Sequence, residues 1–79
     1  QIAADVEVHR QAACDLMTAA ELKVLQYLPT HLSFRQIGEL TFVTANTVKT
    51  QANAIYRKLD VRSRSEAVLR ARHLGLIDA

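Results

Sequence analysis

The sequence predicts an all-α fold: a small four-helix domain with a core of three helices and a fourth, C-terminal helix packed on it. Three observations carry this. Glycine and proline number only two and one in 79 residues, so little interrupts a helical backbone. Three segments open with Ser or Thr followed three residues later by Glu or Gln, the reciprocal capping pair of helix N-termini. Behind each cap, apolar residues recur at spacings of three and four, as one side of a helix requires. A hydrophobic content of 49% and a mean hydropathy near zero fit one globular domain with a core near the lower size limit.

Residues 1–15 contain no Gly or Pro, and Ile2, Val6 and His9 or Ala13 share a helical side. The stretch is assigned to a linker or N-terminal extension, and residues 16–79 to the domain. The first helix is expected over 18–28. Thr18 and Glu21 form its capping box, and Met17 before the cap can staple onto Leu22. Leu22, Leu25 and Leu28 follow, and Pro29 ends the helix by pushing its predecessor out of the helical region.

The second helix is expected over 33–40, capped by Ser33 with Gln36 and lined by Phe34, Ile37 and Leu40. Gly38 sits inside it, where Gly costs about 1 kcal/mol relative to Ala. That cost implies a backbone approaching closely, with the next helix as neighbour. Ala is expected to be tolerated there, and larger side chains not.

Thr44 caps the third helix, 44–59. Val48, Ala52, Ile55 and Leu59 make its apolar stripe, while Asn46, Lys49, Thr50, Asn53 and Arg57 occupy the other side without a carboxylate. The short connection from the second helix reads as a helix-turn-helix over about 33–52. Asp60 is expected to take the left-handed conformation that ends the helix. The fourth helix, 64–74, follows Ser63 and Glu66, and Gly75 ends it, leaving Leu76 and Ile77 to fold back. The expected core is Leu22, Leu25, Leu28, Ile37, Leu40, Val48, Ile55, Leu59 and Val68.

Charge is unevenly spread. Residues 1–43 hold three Lys or Arg against five Asp or Glu, and residues 44–79 hold seven against three. The base-rich half carries the donor-faced helix, which favours a polyanion partner. The same charges would also suit a solvated surface. The single Cys14 cannot form an internal disulfide and fits a reducing compartment, the cytoplasm. His9, His31 and His73 are scattered without metal-ligand spacing, so no metal or other cofactor is expected. Thr18, Ser33 and Ser63 read as caps, no catalytic set is legible, and an enzyme is not expected. No apolar run is long enough for a bilayer. Tyr27, Tyr56, Phe34 and Phe42 read as core or rim.

MTAAELKVLQYL, LSFRQIGELTFVTANTVKTQANAIYRKL and DVRSRSEAVLRA together resemble the LuxR-type (GerE-like) helix-turn-helix domain across residues 17–72. The most specific pieces are Thr47–Lys49, the K-L-x-V segment at Lys58–Val61 and the S-R-x-E-A segment at Ser63–Ala67. The resemblance implies the C-terminal effector domain of a bacterial transcription regulator, binding double-stranded DNA as a homodimer, with RNA polymerase a further candidate partner and no small-molecule ligand in this domain. It places Lys49, Thr50 and Asn53 at base edges, where Lys suits guanine, Asn suits adenine and the Thr methyl suits thymine. Candidate phosphate contacts are Arg35, Gln36, Thr44, Asn46, Thr47, Arg57, Lys58 and Arg64, three of them at a helix N-terminus that favours anions. It also implies that the fourth helix carries the dimer contact, with Leu69, Arg72 and His73 on the side the core does not need. The sequence departs from the family pattern at Ala20 (commonly Arg), Thr44 (Ser), Asp60 (Gly) and Gln51–Ala52 (His-Leu). These departures leave the DNA-facing positions in place.

Two other readings stay open on sequence alone: a helical protein-interaction module, and a sigma-factor-like fragment that contacts polymerase. Salt separates DNA binding from the interaction module, because affinity built on phosphate contacts falls steeply with salt and apolar association does not.

Overall fold

A computed structural model describes Ala12 and residues 15–77. The reading of residues 1–15 as an extension lies almost wholly outside them. Four helices follow: α1 (Ala19–Tyr27), α2 (Phe34–Thr41), α3 (Ala45–Leu59) and α4 (Arg64–His73). The bounds agree with the expected ones to within about one residue, as helix ends allow. No strand occurs among the described residues.

The caps explain the starts. Thr18 Oγ1 accepts from the Glu21 N–H at 3.1 Å, and Glu21 Oε1 accepts from the Thr18 N–H at 2.9 Å. Ser33 and Gln36 repeat the box at 3.2 and 2.8 Å. Thr44 caps α3 through the Thr47 N–H at 3.1 Å. The fourth start differs from the expected box. Ser63 Oγ accepts from the Glu66 N–H, but the Glu66 carboxylate reaches back one residue further, to the Arg62 N–H at 2.8 Å.

α3 is the central element and packs against each of the other three helices. Val24, Leu25, Leu28, Ile37, Val48 and Ile55 are essentially sealed from solvent, and Met17, Leu59, Ala67, Ala71 and Ile77 complete the core. Three expected core residues need correction. Leu40 is 49% exposed, and Leu22 and Val68 are only partly buried. All three errors share a cause. On α2 the covered arc runs through Phe34, Ile37, Gly38 and Thr41, and at 3.6 residues per turn Leu40 falls about 110° from its centre. On α1 the arc is set by Glu21, Val24, Leu25 and Leu28, and on α4 by Ala67 and Ala71. Leu22 and Val68 sit at the edges of those arcs. Val24, which sequence spacing left beside the stripe, is central.

The turn between α2 and α3 is tight. Phe42 adopts a left-handed conformation, φ 62°, and the Val43 N–H donates to the Gly38 carbonyl at 2.9 Å. Phe42 is 91% exposed, which corrects its reading as core or rim. A Cβ added at Gly38 would lie 2.5 Å from the Val43 carbonyl oxygen and 3.3 Å from the Thr44 carbonyl carbon. The close approach inferred from Gly38 is therefore real, but its partner is the turn backbone and not the body of α3. Ala is then not tolerated freely, because its Cβ alone meets that oxygen. At the far end of α3, Asp60 is left-handed as expected, φ 57°. Beyond α4, the Leu76 N–H returns to the Ala71 carbonyl at 2.8 Å and Ile77 is buried, so the fold-back occurs.

Candidate nucleic-acid interface

Burial of Val48, Ala52, Ile55 and Leu59 fixes how α3 is rotated. Asn46, Lys49, Thr50, Asn53 and Arg57 consequently form one exposed stripe along it. No carboxylate interrupts the stripe between Asn46 and Arg57, and the first turn of α3 carries no acidic residue. Its N–H end thus keeps the positive dipole unopposed. Thr44 and Thr47 sit together there, their hydroxyls 3.0 Å apart.

α2 packs against α3, with Gly38 close to Val43 and Thr44 just before the α3 N-terminus. Arg35 is exposed and pairs with Glu39 at 3.7 Å. An exposed pair of this kind is weak and exchangeable for another anion. Gln36 uses its side-chain carbonyl on the Ser33 N–H, which leaves its amide donors directed outward.

Two of the expected phosphate contacts are engaged inside the chain. Lys58 Nζ pairs with Glu21, whose residue exposure is only 8%. The pair ties the start of α1 to the end of α3. Arg64 donates from Nε to the Leu28 carbonyl at 2.9 Å, and from Nη2 to the carbonyls of Tyr27 at 3.3 Å and Thr30 at 2.9 Å. Its guanidinium carbon also stands 5.7 Å from the centroid of the Phe34 ring. Sequence reasoning treated Glu21 only as a cap and missed both tertiary roles. A signal did exist for Arg64: a cation at the first position of a helix opposes that helix's own dipole.

Burial pushes the Glu21 carboxyl up, but the Lys58 ammonium and the Thr18 N–H outweigh it and hold the pKa below the usual carboxylate range. A depressed folded-state value contributes stability above the unfolded value, near pH 4.3 on average. That contribution is lost as pH falls through the folded value. Glu21→Gln keeps the capping acceptor and removes the charge. Its stability deficit in thermal melts should therefore be largest near neutrality and should shrink as pH falls below about 4.3, the unfolded value. A deficit that grew toward acid would contradict the assignment. Burial likewise raises the Tyr56 hydroxyl, opposed by the charge of Arg64 nearby.

On α4, Leu69 is 66% exposed, and Arg72 and His73 are exposed as well. Leu69 and Arg72 border a shallow apolar groove with Leu28, Pro29 and Val68.

Residues 15–71 match the family described as bacterial regulatory proteins, luxR family. The chain belongs to the LuxR family. This LuxR-family domain is 32% identical over 71 residues to the uncharacterized transcriptional regulatory protein YxjL of Bacillus subtilis, covering 90% of the chain and 33% of that protein. It is 33% identical over 63 residues to the transcriptional regulatory protein DegU of Brevibacillus brevis, covering 80% and 27%. It is 31% identical over 75 residues to the HTH-type transcriptional regulator AlkS of Pseudomonas putida, covering 91% and 8%. The chain thus spans a third or less of the length of these relatives. No solved structure matches it. The LuxR-family match makes the chain a DNA-binding domain of a transcription regulator. No helix among the described residues is long and apolar enough to cross a membrane.

Proposed function

We propose that this domain binds double-stranded DNA sequence-specifically, with α3 in the major groove, as the C-terminal effector of a longer bacterial cytoplasmic transcription regulator. The observation that carries the reading is the exposed stripe from Asn46 to Arg57. It is donor-rich and free of carboxylates, and it lies opposite the buried stripe that anchors α3. Lys49, Thr50 and Asn53 read base edges. Thr44, Asn46, Thr47, Arg35, Gln36 and Arg57 meet phosphates and set the register. Lys58 and Arg64 are left out of that set because Glu21 and the α1 carbonyls already hold them. The domain acts as a homodimer on DNA through Leu69, Arg72 and His73, whose exposure supports the assignment. A contact on one short helix is small, so it is weak in free solution and strengthened when DNA holds two copies together.

One titration series tests both parts. Duplexes recovered by selection from random DNA are titrated with the chain at several salt concentrations. Log affinity should fall with log salt with a slope of about −0.9 per phosphate contact. A salt-independent affinity would favour a protein-interaction module instead. Sedimentation with a duplex of two half-sites should show two chains per duplex, and Leu69→Glu should leave one. Strict one-to-one binding by the unmutated chain at every protein concentration would exclude the dimer.

A further inference from the structure

Arg64 occupies a place that its own helix disfavours. It is the first residue of α4, where the dipole end is positive and a cation is unfavourable. Its side chain leaves α4 and covers the opposite kind of helix end. α1 has no basic residue in its last turn, and Pro29 cuts it off. The carbonyls of its final turn lack intrahelical donors. The guanidinium donates to the Leu28 carbonyl at the C-cap and to the Thr30 carbonyl in the loop just beyond, and shares the Tyr27 carbonyl with the Thr30 N–H. A planar, forked donor set spans several acceptors at once, which a single ammonium cannot do.

The same group reaches the DNA-reading unit. The Phe34 ring, 5.7 Å from the guanidinium carbon, belongs to the first residue of α2. Arg35 and Gln36 follow it immediately. α2 is in turn locked to the start of α3, through Gly38 against Val43 and Thr44. A chain of contacts therefore runs from α4 through Arg64 to the end of α1, the start of α2 and the N-terminus of α3.

We infer that Arg64 is a positioning residue for DNA recognition: by tying the carbonyl end of α1 to the first turn of α2, it sets the angle at which α2 and α3 meet DNA, and it contacts no phosphate itself. The inference rests on the reading of the domain as a DNA binder. A residue that only stabilises the fold, a residue that neutralises a phosphate and a residue that positions the reading unit leave different marks on binding.

The test is the salt dependence of affinity for the selected duplex, measured with Arg64→Ala and Arg64→Lys at a temperature where melts show each variant fully folded. Arg64→Ala should weaken binding about tenfold at every salt concentration, giving a line parallel to that of the unmutated chain. Arg64→Lys keeps the charge but loses the fork, and should show a smaller loss with the same slope. It also serves if Arg64→Ala does not fold. A slope flattened by about one unit in Arg64→Ala would make Arg64 a phosphate contact and overturn the proposal. Full affinity in Arg64→Lys would overturn it too, by showing that charge alone suffices. Unchanged affinity in both variants would leave Arg64 a purely structural group. An unmutated chain without salt-dependent binding would instead overturn the DNA reading, and this inference with it.

Discussion

Gly38→Val should lower the unfolding free energy by about 3 kcal/mol, at the upper end of what overpacking usually costs. At roughly 0.05–0.15 kcal/mol per residue, a domain of this length holds about 4–12 kcal/mol, so the loss is a large fraction of the total. The reason is the rigidity of the neighbour. The atom a Cβ would meet, at 2.5 Å, is the backbone oxygen of Val43 and not the end of a mobile side chain. Nor can the turn swing away cheaply, because the Val43 N–H is bonded back to the Gly38 carbonyl. Relief requires moving α2, and Ile37, fully buried, moves with it. Gly38→Ala meets the same oxygen with its Cβ alone and should cost about 1–2 kcal/mol despite the better helix propensity of Ala. Chemical denaturation of the two variants measures both values. A Gly38→Ala protein as stable as the unmutated chain would show that the turn yields.

Asn53→Ala and Lys49→Ala should each cost about 1–3 kcal/mol of binding to a selected site, and relax the base preference at the position read. Both residues are exposed on α3, and Ala is the better helix former, so stability should hold. That separates recognition from folding. Arg57→Ala is the contrasting case. It should weaken all sequences alike and flatten the salt slope by about one unit. Selection from random DNA with each variant reads out the difference. Unaltered site preference in Asn53→Ala would mean that another side of α3 faces the bases.

Much of the fold was legible because local chemistry decides where helices begin and end. Thr18, Ser33, Thr44 and Ser63 each accept from the N–H three residues on, and such bonds are encoded within four residues of sequence. The rotation of α3 was legible too. Val48, Ala52, Ile55 and Leu59 leave one way to bury a stripe, and the polar positions follow as its complement. The rotations of the shorter helices were not. Leu40 and Leu22 are apolar at helical spacing, yet they sit at or beyond the edge of the covered arc, because a helix of eight or nine residues offers too few apolar positions to fix its own angle.

Sequence by itself thus determined four helices, their caps, the helix-turn-helix and the donor-rich side of α3, all of which depend on neighbours within one or two turns. Only the tertiary structure decided what the remaining cations do. Lys58 and Arg64 look like surface bases in a basic half-chain, but Glu21 lies 37 positions from Lys58 and the Leu28 carbonyl 36 from Arg64. Pairings that distant depend on how helices pack, and no periodicity records them. The same holds for Gly38. Its cost announced a close approach, but which backbone made it, and therefore whether a methyl group fits, was set by the turn folding back at Phe42 and Val43.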